Sequence, residues 1–329
     1  MLKVLITGIT GFVGSHMADL MLHRQDVELF GTRRWSSRMN FLEHIEDLEK
    51  RINLITCNIL DPVSVFEVVD KIRPHWIFHF AAESFVAPSW DMPHIYVNTN
   101  VNGTLNFLEA MRKLQLKETR FHVAGSGEEY GLVHEHELPI TELSELRPVN
   151  PYAVSKVAQD LMCYEHFKSY GLHVVRTRAF NHEGPRRDKV FALPTFAYQI
   201  ARIEKGLQEP IIQVGSVAAK RNWTDVRDMV KAYALAVEKC EPGELYLIGS
   251  NRVLTVQECL EKLIGLSTCA DSIRVQEEPS RVRPTDVPLL IGRYDKFVER
   301  TEWQPEIEFE RTLVDTLDYW RSVIDRRVA

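Results

Sequence analysis

The sequence contains little cysteine, and none of it is arranged as a metal-binding or redox pair. The five cysteines are scattered, odd in number and without a Cys-x-x-Cys spacing; they are Cys57, Cys163, Cys240, Cys259 and Cys269. This pattern argues against a disulfide-stapled fold and indicates reduced thiols in a cytoplasmic protein. The 12 histidines are dispersed as well, so we expect no metal site.

Long apolar runs are also missing. No stretch approaches the roughly 18 apolar residues that a membrane span needs. The N-terminal MLKVLITG leads directly into a strand-like run, without the charged and then apolar segments of a signal peptide. We therefore expect a soluble protein with no membrane partner.

Positive charge is not in excess. The 40 lysines and arginines stand against 46 acidic residues, which gives a net charge of −6. Non-specific nucleic-acid binding needs a basic face, so we expect no nucleic-acid partner, although a local basic pocket for one phosphorylated ligand is compatible with this charge. The 329 residues, 45% of them hydrophobic, are typical of a globular chain of roughly two domains.

The first half of the chain alternates short apolar runs with helix-length segments. Most of the runs are continuously apolar, as expected for strands that are covered on both faces. The strand-like runs are Lys3–Thr7, Glu28–Phe30, Leu54–Cys57, Trp76–Phe80, Phe121–Ala124 and Val174–Thr177, and the helical segments are Ser15–His23, Val63–Lys71, Asn102–Leu114 and Tyr152–Tyr170. This order predicts an α/β fold, a doubly wound parallel sheet of the Rossmann type.

After about residue 181 the pattern changes, because arginine, proline and aromatic residues become frequent and the alternation stops. The run Glu244–Ile248 is strand-like and is predicted to return to the sheet. We therefore predict a Rossmann domain made of residues 1–181 and about 241–264. A smaller, discontinuous C-terminal substrate domain would comprise about 182–240 and 265–329.

Three glycines follow the first strand and lead into the first helix. Gly8, Gly11 and Gly14 form Gly-x-x-Gly-x-x-Gly, with Phe12 and Val13 between the last two. Residues without a Cβ let the backbone approach a pyrophosphate, whose charge is then stabilised by N–H groups at the helix N-terminus. The position of the motif therefore predicts a dinucleotide cofactor.

The end of the second strand indicates which dinucleotide binds. An NAD site usually has Asp or Glu there, about 20 residues after the glycines, to bind the ribose hydroxyls. This chain has Arg33 and Arg34 instead, and two guanidinium groups suit a 2′-phosphate. We therefore predict NADP, with NAD as the alternative cofactor and a solvated charged loop as the alternative role of the two arginines.

Tyr152 and Lys156 are candidates for a catalytic pair. They stand four residues apart on a predicted helix that follows Asn150-Pro151, so they share one helix face. We expect the ammonium to lower the pKa of the tyrosine, which would then exchange a proton with a hydroxyl or a ketone during hydride transfer. Ser126 supports this interpretation, because it ends a predicted strand at the ligand edge of a parallel sheet.

Two acidic residues follow Ser126, and the sequence does not rank them. Glu128 is the candidate for a second acid/base group, and Glu129 is its neighbour. The alternative role is that of a loop acid that caps a backbone amide. His79 and His122 lie inside predicted strands, so we expect core residues with both ring nitrogens hydrogen-bonded.

Together, TGITGFVG, HFAAES, NTNVNGT, GSGEEYG, YAVSK and RNW…RPTDVP resemble the extended short-chain dehydrogenase/reductases that modify nucleotide sugars. The resemblance covers essentially the whole chain. NHEGPRR, AAKRNWTDVRD and RPTDVP are most similar to the GDP-mannose branch, which contains 4,6-dehydratases and 4-keto-6-deoxymannose reductases. The resemblance implies a GDP-hexose substrate.

The resemblance also implies a role for each matching position. The catalytic group would be Ser126, Tyr152 and Lys156, with Glu128 at the position of the dehydratases' acid/base glutamate. The positions around the cofactor and the sugar would be Asn58, Ile59, Ala81, Ala82 and Ser84, with Asn100 in the family's structural active-site position. The nucleotide diphosphate and guanine would be held by Asn181, Glu183, Arg221, Arg283 and Asp286.

The chain departs from the dehydratase pattern at several positions. The adenine-contacting Asp is Asn58 here, the usual GQDG loop reads GFVG, Thr195 replaces a lysine, and an insertion before RPT is missing. GSGEEYG, QEPIIQVG and VRPTDVP are closer to the reductases, whereas RRWSS, GPRRD and AAKRNW are closer to the dehydratases.

Because Glu128 is retained beside the serine, we place a dehydratase first and a reductase second. A dehydratase would oxidise C4, eliminate water across C5 and C6 and return the hydride to C6. A reductase would reduce an existing C4 ketone without Glu128. A nucleotide-sugar 4-epimerase is the third alternative, although the NAD-type acid is absent. A non-catalytic NADP sensor is the fourth, although it would not need Ser126, Tyr152 and Lys156 together.

Family members pair through two helices, here Asn102–Leu114 and Tyr152–Tyr170, so the resemblance implies a homodimer or a homotetramer. The segment Arg33–Arg38 could add a tetramer contact. Apolar contacts would come from the second helix, unless these residues belong to the ordinary core: Leu161, Met162, Tyr164 and Phe167.

Overall fold

The computed structural model describes residues 1–39, 41–281 and 283–328, so residue 282 and the predicted domain end at 329 lie outside the described residues. The α-helices are α1 Phe12–Leu22, α2 Leu48–Arg51, α3 Pro62–Ile72, α4 Pro93–Tyr96, α5 Gly103–Lys113, α6 Pro151–Tyr170, α7 Ala192–Glu204, α8 Val226–Lys239, α9 Val256–Gly265, α10 Asp295–Thr301 and α11 Phe309–Val328. None of the helices in these ranges combines the length and the apolarity that crossing a membrane requires.

The β-strands are β1 Leu2–Thr7, β2 Val27–Arg33, β3 Asn53–Thr56, β4 Trp76–His79, β5 Arg120–Ser126, β6 Val174–Ala179, β7 His182–Glu183, β8 Ile211–Val214, β9 Lys220–Asn222, β10 Thr224–Asp225, β11 Leu245–Ile248, β12 Val253–Thr255, β13 Arg274–Glu277 and β14 Leu289–Leu290. A π-helical turn at Val97–Asn102 precedes α5, and a 3₁₀ turn at Gly127–Tyr130 follows β5.

Seven strands form the central sheet in the order β3-β2-β1-β4-β5-β6-β11, and every neighbouring pair is parallel. The order reverses between β1 and β4, which places the loops after these strands at one ligand-binding edge. The predicted doubly wound parallel sheet is confirmed. The predicted return of Glu244–Ile248 is confirmed as well, because β11 pairs with β6 at the sheet edge.

Helices cover both faces of this sheet. On one face α1, α8 and α10 contribute Met17, Tyr233 and Phe297 to a common core. On the other face α3 and α5 contribute Val69 and Phe107. Strands β4, β6 and β11 are buried along their whole length. The double cover explains why β4 and β11 are mostly apolar without alternation, whereas β6 also carries the buried polar residues Arg176, Thr177 and Arg178.

A second core is built mainly by α7, α9 and α11. Phe196 and Ile200 of α7 meet Leu260 of α9 and Leu313 and Leu317 of α11. Two small sheets, β12-β9-β14 and β13-β8, pack against this core through Ile212 and Val214 of β8 and Leu254 of β12. The second core therefore draws on three separated segments of the chain.

The packing of two helices differs from the predicted domain boundaries. Helix α8 falls in the predicted substrate segment 182–240, yet its apolar stripe, with Met229 and Tyr233, packs on the central sheet. Helix α9 falls in the predicted Rossmann segment 241–264, yet Leu260 and Leu263 pack in the second core. Each helix has an amphipathic face, and sequence periodicity does not say which core that face meets. The division into two domains stays a prediction.

Candidate active site

A cleft of about 800 Å³ lies between the carboxyl edge of the central sheet and the second core. A cavity of this size matches the pockets that bind cofactors and small substrates. All four predicted catalytic residues and all six predicted substrate residues line it: Ser126, Glu128, Tyr152, Lys156, Ser84, Asn181, Glu183, Arg221, Arg283 and Asp286. The structure thus brings together side chains that are up to about 200 positions apart in sequence.

The glycine loop forms one end of the cleft. Gly8 has a φ of +67°, and a Cβ on it would lie 2.9 Å from the Cα of Ala81. A Cβ on Gly14 would overlap the carbonyl oxygen of Gly8. Helix α1 begins directly after Gly11, with no side-chain cap and no acidic residue in its first turn. Its free N–H groups and its dipole therefore face a cradle that suits a pyrophosphate.

Several residues predicted to hold the cofactor do not line the cleft. Arg33 and Arg34 lie at the carboxyl end of β2, where Arg34 is exposed and its Nη1 lies 3.8 Å from a carboxylate oxygen of Glu83. The Nε of Arg33 is buried and has no hydrogen-bond partner among the described residues. Asn58 accepts a hydrogen bond from the backbone N–H of Leu60 at 3.1 Å.

Ile59 and Ala81, two further predicted cofactor residues, also do not line the cleft. Ile59 is a core residue on the α3 and α5 side of the sheet. Ala81 packs closely against Gly8 and donates its backbone N–H to Thr7 Oγ1 at 3.1 Å. Ala82 lines the cleft itself. The remaining cofactor predictions at the glycine loop, Phe12 and Val13, line it too.

His182 and Arg187 were not predicted as site residues, although both line the cleft. The ring of Phe12 stacks on that of His182 at 6.0 Å between centroids. The guanidinium of Arg187 lies 5.1 Å from the centroid of Phe12 and 4.0 Å from that of Phe191. Both missed residues follow β6, so their place at the carboxyl edge of the sheet was the signal that could have found them.

The two acids after Ser126 have different surroundings. Glu129 is fully buried, and its carboxylate accepts the backbone N–H of Ser126 at 2.7 Å and pairs with Arg178 Nε at 2.8 Å. Ser126 Oγ in turn accepts the N–H of Glu128 at 3.2 Å. Glu129 is therefore the acid that caps a backbone amide, whereas the side chain of Glu128 lines the cleft.

Asn150 connects Glu128 to the helix that carries the tyrosine. Its Nδ2 donates to Glu128 Oε2 at 3.3 Å, and its Oδ1 accepts the N–H of Ala153 at 2.7 Å, which caps α6. Pro151 at the first helical position suits the start of this helix. One asparagine thus sets both the start of α6 and the position of the carboxylate.

Tyr152 lies beside Ser126 at the bottom of the cleft, and its ring meets that of Tyr96 edge-on at 6.4 Å. We predicted that Lys156 would lower the pKa of Tyr152. The structure differs, because burial raises the pKa of Tyr152 above its usual value near 10. The hydrogen bond from Ser126 and the charge of Arg187 oppose this effect.

The ammonium of Lys156 is directed away from solvent. Its Nζ donates to the carbonyl of Ala124 at 3.0 Å and to Gln159 Oε1 at 2.8 Å. Burial lowers the pKa of Lys156 to about 8, although the carboxylate of Glu129 acts in the opposite direction. Lys156 is therefore held at the base of the cleft next to the tyrosine.

A buried ion cluster lies beneath these residues, and we call it the floor cluster. It consists of Glu129, Asp160, Arg176 and Arg178. Arg178 donates to Asp160 at 2.6 Å and to the hydroxyl of Tyr130 at 3.0 Å, and Arg176 donates to Asp160 at 3.1 Å. The cluster joins the turn after β5 to α6 and β6, which fixes Ser126 relative to Tyr152.

Arg221, one of the predicted substrate residues, lines the cleft from β9. Arg221 is buried and donates Nη1 to the carbonyls of Lys220 at 2.9 Å and Pro288 at 3.2 Å. Its Nη2 lies 4.0 Å from a carboxylate oxygen of Asp286. Arg221 is therefore held in place by backbone carbonyls, and burial lowers its pKa.

Glu183 is an acid of the cleft that is only partly compensated. Its Oε1 lies 3.3 Å from Arg187 Nε, and its Oε2 is buried without a hydrogen-bond partner among the described residues. Burial raises the pKa of Glu183 to about 7, against the effect of Arg187. Such an acceptor suits an N–H donor of a bound ligand.

The family model described as GDP-mannose 4,6 dehydratase matches residues 5–316 of the chain. The GDP-6-deoxy-D-mannose reductase of Pseudomonas aeruginosa is 29% identical over 97% of this chain and 97% of its own length. The GDP-mannose 4,6-dehydratase of Yersinia enterocolitica is 30% identical over 94% of this chain and 91% of its own length. These relatives include both activities that the motifs suggested.

Solved structures give the same picture of the fold. A structure of RMD from Pseudomonas aeruginosa complexed with NADPH superposes with a TM-score of 0.82 at 27% identity, over 98% of this chain and 100% of that one. A UDP-glucose 4-epimerase of Thermotoga maritima with UDP-glucose superposes with a TM-score of 0.85 at 26% identity, over 98% and 100% of the two chains.

Proposed function

Since the chain belongs to the GDP-mannose 4,6-dehydratase family, we propose that it is an NADP-dependent enzyme that converts GDP-mannose to GDP-4-keto-6-deoxymannose and water. One observation carries this proposal beyond the family. Glu128 opens onto the cleft beside Ser126 and Tyr152, whereas the adjacent Glu129 is fully engaged below it. A 4,6-dehydratase needs a free carboxylate at that place, and a simple reductase does not.

The cleft supports NADP as the cofactor, which when bound supplies reversible hydride transfer. The pyrophosphate would be held by the loop Gly8–Gly14 and the first N–H groups of α1. The unpartnered Nε of Arg33 and the exposed guanidinium of Arg34 would hold a 2′-phosphate at the end of β2. His182 and Arg187 would complete the site from the other side of Phe12.

The chain's own residues would then move the protons. Tyr152, with Ser126 beside it, would take the proton of the sugar 4-hydroxyl as C4 is oxidised. Glu128 would take the C5 proton and give a proton to the departing C6 hydroxyl, which leaves as water. The C5–C6 bond is reduced when a hydride returns to C6 and a proton to C5. The cofactor is therefore not consumed.

The second candidate is reduction of a 4-keto-6-deoxy sugar, and the reductase of Pseudomonas aeruginosa favours it through a match over 97% of both chains. In that reaction Tyr152 would protonate the oxygen at C4, and Glu128 would have no required role. The two candidates therefore differ in what substitution of Glu128 does.

The test is to incubate the purified protein with GDP-mannose and trace NADP⁺, and to follow the sugar by mass and NADPH by absorbance. Loss of one water without net NADPH formation supports the dehydratase. No conversion of GDP-mannose, with NADPH oxidation when the keto sugar is supplied, supports the reductase. If neither assay shows a reaction, the proposed GDP-sugar substrate is wrong.

Two variants test the proposed roles of Tyr152 and Glu128. We expect Tyr152→Phe to lower turnover about 10²- to 10⁴-fold with NADP⁺ affinity unchanged, because the phenol is the proton donor and acceptor. We expect Glu128→Gln to lower dehydration by a similar factor. The matched control is Glu135→Gln, an exposed acid seven residues further on, which should keep wild-type turnover. Full activity of Tyr152→Phe would contradict the proposal that Tyr152 transfers the proton in an enzymatic reaction.

We also propose a cytoplasmic homodimer that pairs through α6. Its outer face carries Val154, Leu161 and Tyr164, with 48%, 51% and 39% of their surfaces exposed. Met162 and Phe167 are partly packed inside the protein. Light scattering of Leu161→Glu should show a monomer if this face pairs, and a mass equal to that of the wild-type dimer would exclude pairing through α6.

The free cysteines support the proposed cytoplasmic location, and cell fractionation tests it.

A further inference from the structure

Behind Lys156, a series of buried hydrogen bonds runs across the sheet, and we call it the polar chain. Lys156 Nζ donates to Gln159 Oε1 at 2.8 Å, and Gln159 Nε2 donates to Thr104 Oγ1 at 2.6 Å. His79 Nε2 lies 2.9 Å from the same Thr104 oxygen, and His79 Nδ1 lies 3.0 Å from Thr7 Oγ1. Its five members therefore come from β1, β4, α5 and α6.

The directions of these bonds are determined by Thr104. Its single hydroxyl proton goes to the carbonyl of Asn100 at 2.7 Å. The oxygen of Thr104 must therefore accept from both Gln159 and His79. This requirement turns the amide oxygen of Gln159 toward Lys156, and it makes His79 Nε2 a donor and Nδ1 an acceptor from Thr7. Burial lowers the pKa of His79 to about 3, so its ring stays neutral.

The polar chain ends inside the protein. Its last member, Thr7, accepts the backbone N–H of Ala81, which packs against Gly8 of the cofactor loop. Thr7, His79, Thr104 and Gln159 are all buried. The polar chain is therefore a support that has no outlet to solvent, rather than a path for protons to leave the site.

Asn100, at the position that the resemblance marked as structural in the active site, does not reach Lys156. Its Oδ1 accepts the N–H of Glu83 at 2.8 Å, and its Nδ2 donates to the carbonyl of Glu83 at 3.0 Å and to Ser155 Oγ at 2.8 Å. All of these bonds hold the loop after β4 against α6. Gln159 is thus the side-chain acceptor that Lys156 has among the described residues.

We propose that Gln159 is a positioning residue for Lys156, whose amide oxygen is held toward the ammonium by Thr104 and His79. The inference rests on the proposed function in one respect, because it treats Lys156 as a working residue of the site. Gln159 sets the direction of the ammonium and the free energy of its charged form. The glycine loop and the lysine are joined by the same polar chain.

Other groups also act on the charge of Lys156. The carboxylate of Glu129, in the turn after β5, favours the ammonium. Cys163 of α6 is a buried thiol whose pKa is raised by burial, so it stays neutral. The rings of His79 in β4 and His122 in β5 are buried and neutral, and Arg178 in β6 is paired with Glu129 and Asp160. Substitutions at Gln159 leave all of these groups unchanged.

The test measures the pKa of Lys156 in the protein alone, by trace acetic anhydride labelling across pH with mass spectrometry of the Lys156 peptide. Gln159→Leu removes an acceptor from the ammonium, so we expect the pKa of Lys156 to fall by about one unit. Gln159→Glu places a carboxylate there, so we expect the pKa to rise by about one unit or more. The basic limb of the pH profile of kcat/KM should move in the same two directions.

Thr104→Val tests whether Thr104 orients Gln159, and it leaves both hydrogen-bond acceptors of Lys156 in place. It removes the acceptor that orients Gln159, so we expect a smaller fall in the pKa of Lys156. The matched control is Thr177→Val, which removes the bond of 2.8 Å between His122 Nε2 and a threonine in the neighbouring strand pair. Among the described residues, no series of side-chain hydrogen bonds connects that bond to Lys156. His122 was predicted to have both nitrogens bonded, but its Nδ1 has no partner among the described residues.

Equal titration of Lys156 in wild type, Gln159→Leu and Gln159→Glu would overturn the proposal, even if both variants were less active. If neither Gln159 variant folds, Thr104→Val against Thr177→Val decides, and equal titration in that pair overturns it. The labelling needs no sugar substrate. Opposite shifts in a protein that turns over neither sugar would therefore support the positioning role and reject the proposed reaction.

Discussion

Two arginines pair with carboxylates in different parts of the molecule, one carboxylate fully buried and the other only partly buried. Under the cleft, Arg178 pairs with Glu129 at 2.8 Å and Asp160 at 2.6 Å, and the arginine side chain is 4% exposed. In the second core, Arg321 of α11 donates to both oxygens of Glu204 of α7, at 2.8 and 2.7 Å, and is 30% exposed. The distances are nearly equal, but the access to water is not.

The two clusters differ in the pKa of the acid that each arginine holds. In the floor cluster, burial and the neighbouring Asp160 raise the pKa of Glu129 to about 7. In the second core, the hydrogen bond from Arg321 comes first and lowers the pKa of Glu204 to about 2, with help from Thr268 and Ser267. Equal contact distances therefore have opposite electrostatic results, depending on desolvation and on how many acids share one arginine.

The largest expected effect is on stability. Arg178→Met leaves two carboxylates buried without their shared partner, so we expect the free energy of unfolding to fall by about 3–5 kcal/mol. Arg321→Met leaves Glu204 with its bonds from Ser267 and Thr268, so we expect a fall of about 1–2 kcal/mol. Urea unfolding of both variants measures the two values. Equal losses would show that exposure does not distinguish the clusters.

A pH series should separate the two acids by sign. The pKa of Glu204 is below its usual value near 4.5, so its stabilisation is present above that pH and is lost as the pH falls toward 2. The pKa of Glu129 is above that value, so stability falls as the pH rises from about 4.5 to about 7. We expect Glu204→Gln to remove about 1 kcal/mol of acid-labile stability, reduced by solvent screening.

The measurement is urea unfolding at each pH, with each variant compared with wild type. Glu129→Gln should give a difference curve of opposite slope in the range between pH 4.5 and 7. Two curves that slope in the same direction would contradict the assignment of desolvation as the leading cause at Glu129.

The smallest expected effect is that of salt. Raising NaCl from about 0.1 M to about 1 M screens charges in contact with water, so the cost of Arg321→Met should shrink by about 0.5 kcal/mol. The cost of Arg178→Met should stay unchanged within error, because the pair is sealed from ions. A cost for Arg178→Met that falls with salt would mean that water reaches the floor cluster.

The sheet and the glycine loop could be predicted from the sequence because their signals are local. Apolar runs, helix periods and the spacing of Gly8, Gly11 and Gly14 each lie within a few turns of chain. The core that a helix joins is not local information, and so the packing of α8 and α9 differs from the boundaries that the sequence predicts.

The partners of the site residues are not local sequence information either. Glu128 and Glu129 look alike in sequence, and Arg178, 49 residues after Glu129, is what separates them. The role of Gln159 depends on Thr104 and His79 from other elements. The pKa of Tyr152 depends on burial that spacing along a helix does not reveal. Residue types and strand ends predicted where chemistry would occur, but the partners of each group required the fold.

The second core also bears on how the chain is made. Its three helices come from residues 192–204, 256–265 and 309–328, and α11 packs along α7. During synthesis the strands of the sheet emerge and can pair in order. The second core, which borders the cleft, cannot be completed until α11 has left the ribosome. Until then the part of the apolar face of α7 that β8 and α9 do not cover stays exposed, so we expect the nascent chain to be prone to aggregation at this stage.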